Sequence, residues 1–161
     1  IMKKSLHIIL AVILFGFGLY FWQKNDTNAP KKTIEEMTSR EVALACTTDM
    51  ATEFHIHPEL RIFIKGEEVL IPFDTGIKNG CMNAIHTHSD RPILHVEAPV
   101  QKDFTLGDFF AVWDKPFNSM QILDFVATEE GQIRVTVNGQ TSDSYENIIL
   151  RDRDKIVIEV K

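Results

Sequence analysis

Residues 53–71 read EFHIHPELRIFIKGEEVLI. Phe54 and Ile56 alternate with His55 and His57, and Leu60, Ile62 and Ile64 continue the alternation beyond Pro58. A period of two sends successive side chains to opposite faces, which marks a half-buried strand and not a helix. Lys65-Gly66-Glu67-Glu68 then breaks the apolar run before Val69-Leu70-Ile71, the pattern of a hairpin. The fold is therefore expected to be built on sheet.

Downstream, Ala84 to His88 and Ile93 to Glu97 read as two short strands around the turn-rich tetrapeptide Ser89-Asp90-Arg91-Pro92. Ile133 to Val137 runs into Asn138-Gly139, the strongest short hairpin signal, and Ile156 to Val160 supplies a last strand. Between these lies one clear helix. Thr105 stands three residues before Asp108 as a cap, and Leu106, Phe109, Phe110 and Trp113 follow at helical spacing, most simply as core. The expected fold class is α+β, a small mixed or antiparallel β-sheet with one packed helix, and a small β-sandwich ranks second. The polar stretch NIILRDRD, 147–154, before the final strand gives a weaker likeness to the ending of β-grasp domains.

Upstream of the strands, 23–45 is polar and contains Pro30, and it reads as a tether. Within it the spacing predicts a short helix from Ile34 to about Ala45, with Thr33 as cap and Glu36 as its partner. Ahead of the tether, 6–22 (LHIILAVILFGFGLYFW) is apolar but for His7. As a helix it would span roughly 25 Å, the short end of what crosses a bilayer core. Lys3 and Lys4 precede it and Tyr20, Phe21 and Trp22 close it, a positive inner flank and an aromatic belt. The expected organisation is a short cytoplasmic start at 1–5, a transmembrane signal-anchor at 6–22, the tether at 23–45 and an extracytoplasmic domain at 46–161. Without a small-x-small cleavage site the uncleaved anchor is preferred over a cleaved signal peptide and a secreted product. The bilayer is the first expected partner.

The chain carries 17 basic and 23 acidic residues, with every acidic residue beyond Trp22. That balance argues against nucleic acid as a partner. Apolar and charged shares of 44% and 25% fit a globular chain and exclude a disordered one.

Histidine placement carries the chemistry. Five of the six histidines, His55, His57, His86, His88 and His95, fall within one short region. Strand alternation projects His55 with His57, His86 with His88, and His95 with Glu97. If the turn at 89–92 folds as drawn, these residues meet across neighbouring strands as an imidazole cluster. Neutral imidazole suits copper, zinc, nickel and non-haem iron, with Glu97 as a further ligand or as a carboxylate orienting one, and Met82 as an aid to Cu(I). The spacing matches neither zinc-finger nor HExxH signatures. A half-exposed face of unliganded histidines is the competing reading.

Cys46 and Cys81 are an even pair in an exported chain, so a disulfide is expected, and thiolate ligation of the same metal is the alternative. No Cys-x-x-Cys, Gly-x-Ser-x-Gly elbow or Gly-rich phosphate loop occurs, so no catalytic residues are assigned.

The ordered motifs HIHPEL (55–60), Ile71-Pro72 with Gly76-Ile77, Cys81, IHTH (85–88), HVE (95–97) and FTLGDFFAVW (104–113) resemble a group of poorly characterised, membrane-anchored or secreted prokaryotic proteins sharing HxHPxL, IPxxxGI, IHTH, HxE and FTLGxFFxxW. The resemblance covers about Phe54 to Trp113. It implies that the histidine motifs belong to one domain type and that an anchor is typical, and it carries no activity. The functional expectation is a non-catalytic metal binder at the outer face of the membrane that captures, buffers or transfers copper or zinc, with a metal-donor or metal-acceptor protein as partner. A metal-dependent enzyme with an open three-histidine site and a metal-free structural or interaction module are the rivals.

Overall fold

The computed structural model of the chain describes residues 32–48 and 52–161. The elements run α1 (Ser39–Leu44), β1 (Phe54–Ile56), β2 (Glu59–Ile64), β3 (Glu67–Val69), β4 (Ile77–Lys78), β5 (Cys81–Met82), β6 (Ile85–His86), β7 (His95–Ala98), α2 (Leu106–Val112), β8 (Phe117–Asn118), β9 (Gln121–Ile122), β10 (Phe125–Val126), β11 (Ile133–Val137), β12 (Gln140–Thr141) and β13 (Lys155–Val160), with a 3₁₀ turn at Tyr145–Asn147 before the last strand. Together they form a small mixed α+β domain, mostly sheet, with one main helix.

The main sheet has the order β12-β11-β13-β2-β3. Its centre is a parallel pair, β13 beside β2, in register from Lys155 opposite Glu59 to Val160 opposite Ile64. β3 continues β2 as an antiparallel hairpin on one side, and the β11-β12 hairpin lies antiparallel to β13 on the other. Both hairpin turns place two consecutive residues at positive φ, Lys65 (53°) with Gly66 (85°) and Asn138 (53°) with Gly139 (81°). That is the turn whose twist matches the strands, and it explains why Asn-Gly reads so clearly in sequence. The Asn138 side chain also works outside its turn, accepting from the Lys155 amide at 2.9 Å and donating to Asp154 at 2.7 Å. One face of the sheet supplies the core through Leu60, Ile62, Ile133, Val135, Ile156, Ile158 and Val160.

α2 begins where Thr105 and Asp108 cap one another's backbone amides, and Leu106, Phe109 and Phe110 behind them are fully buried. Each such side chain contributes about 1.5–3 kcal/mol. Asp108 is itself buried, and its carboxylate is matched by Arg40 of α1, Nε to Oδ1 at 2.7 Å, while Arg40 also donates to the Gly107 carbonyl. This ion pair seats α1 on α2. Val42 and Ala43 of α1 are buried with it, so the packed unit takes in the chain from Thr33 onward.

Two sequence expectations change in detail. The helix expected from Ile34 opens instead as a single turn, with the Thr33 amide bonded to Glu36, and the regular helix begins at Ser39 behind a second capping box of Thr38 and Glu41. Two overlapping cap signals compete there, and the later one is followed by Val42 and Ala43, which can be buried. The alternation from Phe54 to Ile64 is likewise two strands in two sheets. Pro58 has no amide for a ladder, and the chain changes sheet at His57-Pro58.

The second sheet, β1-β7-β6, is antiparallel with β7 in the middle. The expected helix at 6–22 lies outside the described residues. Among the described residues, no helix is long and apolar enough to cross a membrane.

Candidate metal centre

β7 organises the site because it pairs with both histidine strands at once. Its register sets His95 opposite His86 and Glu97 opposite His55. Alternation then buries Val96, Ile85 and, more loosely, Ile56 on the core side and gathers the five histidines on the other. Ring centroids lie 4.3 Å apart for His55 and His57, 4.9 Å for His57 and His95, 4.8 Å for His88 and His95, and 4.9 Å for His86 and His88. Two overlapping triads result, His55 with His57 and His95, and His86 with His88 and His95, each with its ligand nitrogens within 4.8 Å of one another. Nitrogens on a tetrahedral ion at 2.0–2.1 Å sit roughly 3.3 Å apart, which small side-chain rotations reach from here. Both triads could hold a metal ion.

The hydrogen bonds assign the lone pairs. His86 is fully buried, and its Nδ1 donates to the Asn83 carbonyl at 3.0 Å. That fixes the proton on Nδ1 and leaves Nε2 as a bare acceptor with no partner among the described residues. An unsatisfied buried acceptor costs about 1–3 kcal/mol, a cost that an ion bound at Nε2 would remove. His95 Nε2 lies 3.1 Å and 3.3 Å from the two carboxylate oxygens of Asp90. His55 Nε2 is 3.0 Å from Glu97, and His57 Nδ1 is 4.0 Å from Asp152. Three carboxylates thus stand beside the imidazoles, Glu97 among them.

Charge follows burial. Desolvation pushes His86 down to about 4, against the smaller upward pull of the Asn83 carbonyl and Glu97, so the ring is neutral at physiological pH and ready to bind metal without losing a proton. His57 is also lowered, first by desolvation and then by His55 and His95 beside it. Burial works upward on Asp90, but the hydrogen bond and charge of His95 outweigh it and the carboxyl falls below its ordinary value.

Cys46 and Cys81 form a disulfide with Cα atoms 5.4 Å apart, so their sulfurs are not metal ligands. The bridge pins the end of α1 to β5. Met82 continues that tie through backbone bonds with Thr47, and the Asn83 side chain donates to the Ala43 carbonyl. Met82 is thus placed beside the residue that orients His86. The two histidine pairs are joined by β7, which pairs with the strands of both.

Three participants were missed in the sequence. Asp90 was read only as a turn residue, and Asp152 only as part of a polar stretch. Asp152 also accepts from the His57 amide at 2.9 Å. Asn83 acts through its backbone carbonyl, for which side-chain identity gives no signal. Compared with protein-family models, curated proteins and solved structures, the chain matches none.

Proposed function

We propose that this chain is a membrane-anchored extracytoplasmic protein that captures, buffers or passes copper or zinc through its histidine cluster. The observation that carries the reading is the buried, unpartnered Nε2 of His86, oriented by Asn83 and flanked by His88 and His95. Copper or zinc is favoured because the donors are imidazoles without thiolates, a set that both ions accept. Met82 would serve Cu(I). Binding is favoured over catalysis because Glu97, the carboxylate best placed as a general base, is engaged by His55. A β-grasp-like arrangement is supported by the central parallel pair with a hairpin on each side. The apolar run at 6–22 with its lysine flank supports the anchor and the outward orientation of the domain.

The test is elemental analysis of the tag-free full chain, exported to an oxidising compartment and purified in mild detergent, beside His86→Ala/His88→Ala. About one equivalent of copper or zinc, lost in the double variant, is the expected outcome. A folded wild-type protein that stays metal-free after reconstitution overturns the reading and leaves the interaction-module alternative.

A further inference from the structure

Resting on that metal-binding reading, we propose that the two triads are two stations for a single travelling ion. His55, His57 and His95 form an exposed loading station, His86, His88 and His95 form a holding station, and His95 hands the ion across.

The two triads differ in what they lose and gain by binding. The His55 and His57 side chains are 43% and 41% exposed, so water reaches both, and Glu97 also meets His55 at 3.0 Å when no ion is present. His86 has neither recourse, being fully buried with its second nitrogen unpartnered. An ion moving inward therefore frees two groups that have other partners and satisfies one that has none. The direction of transfer follows from that difference.

His95 can act as the pivot because it is common to both triads and nearly equidistant from their nearer members, with ring centroids 4.9 Å from His57 and 4.8 Å from His88. While the ion stays on His95, one metal–nitrogen bond to an outer imidazole breaks as one to an inner imidazole forms. One metal–nitrogen bond replaces another, so the exchange transfers no electron. The hydrogen bond to Asp90 limits the site to one ion. An ionised carboxylate only accepts, so His95 presents its Nε2–H to Asp90 and keeps one lone pair. A single lone pair serves one ion at a time.

The experiment loads the tag-free full chain in mild detergent with Zn(II) and, separately, Cu(II). It measures stoichiometry, affinity by chelator competition, and the rates of uptake and of release to chelator, for wild type, His55→Gln/His57→Gln and His86→Ala/His88→Ala. The wild type is expected to take one equivalent. The His55→Gln/His57→Gln variant should keep that equivalent with a much smaller loss of affinity than His86→Ala/His88→Ala shows, while uptake and release both slow, as expected when a path is lost and the end state is kept. The His86→Ala/His88→Ala variant should bind weakly and exchange quickly. Two equivalents in the wild type would mean two independent sites and overturn the proposal, a result that stands even if the outer variant fails to fold. Equal loss of affinity in both double variants would mean one merged five-histidine site, and unchanged rates would remove the loading role; each overturns the proposal too. A wild type that binds no metal overturns the proposed function as well, whereas one equivalent with unchanged rates overturns this inference alone.

Discussion

His86 makes the apo domain sensitive to acid. Its value in the fold, about 4, lies below the ordinary 6.5, so the unfolded chain takes up the proton first as pH falls. The sign follows from linkage: the contribution is fully present above about pH 6.5, is lost between there and about pH 4, and amounts to about 3 kcal/mol. Urea unfolding in the presence of chelator should show this loss in the wild type and a shallower pH slope in His86→Leu. Equal slopes in the two proteins would rule His86 out as the source. His57, lowered in the same direction, adds to the wild-type slope and persists in the variant. At this scale the sequence was readable where chemistry lies in the side chain, as at His86, His95 and Glu97. It was silent where a backbone carbonyl does the work, as at Asn83.

Among the elements, what was legible followed local rules. The capping pair of Thr105 and Asp108 and the Asn138-Gly139 turn are each decided within a few residues and appear as read, whereas the strand expected from Ala84 to His88 keeps only Ile85–His86. What was not legible needed partners distant in sequence. The sheet change at Pro58 is tied down by the loop after Leu150, where Asp152 and Arg153 bond the His57 backbone. The later start of α1 is fixed by Arg40 meeting Asp108. The disulfide belongs to this scale because it joins α1 to β5 across a separation of 35 residues. Closing such a loop contributes roughly 3–4 kcal/mol on the chain-entropy model. Cys46→Ser/Cys81→Ser should lower the unfolding free energy by about that much, measured by denaturant titration. It should also speed metal release to a chelator, because β5 leads directly into Asn83. A variant as stable as the wild type would show that the packing of α1 on α2 suffices without the bridge.

For the whole molecule, the net charge of −6 and the carboxylates around the imidazoles set a field that favours cations. An ion that binds only the folded domain stabilises it by mass action, about 3 kcal/mol at a free concentration a hundred times Kd. The melting temperature of the wild type should therefore climb with added Zn(II) or Cu(II), and His86→Ala/His88→Ala should be nearly indifferent to the same additions. Equal shifts in both proteins would place the stabilising ion elsewhere on the surface.

The parallel pairing of β2 with β13 sets a timetable for biosynthesis. All five clustered histidines precede β13, the strand that completes the main sheet, and Asp152 stands just before that strand. Pairing between segments so distant in the chain is slow to form and comes late. A chain made only as far as β7 thus holds all five clustered histidines but lacks both the strand that pairs with β2 and the carboxylate that holds the His57 amide.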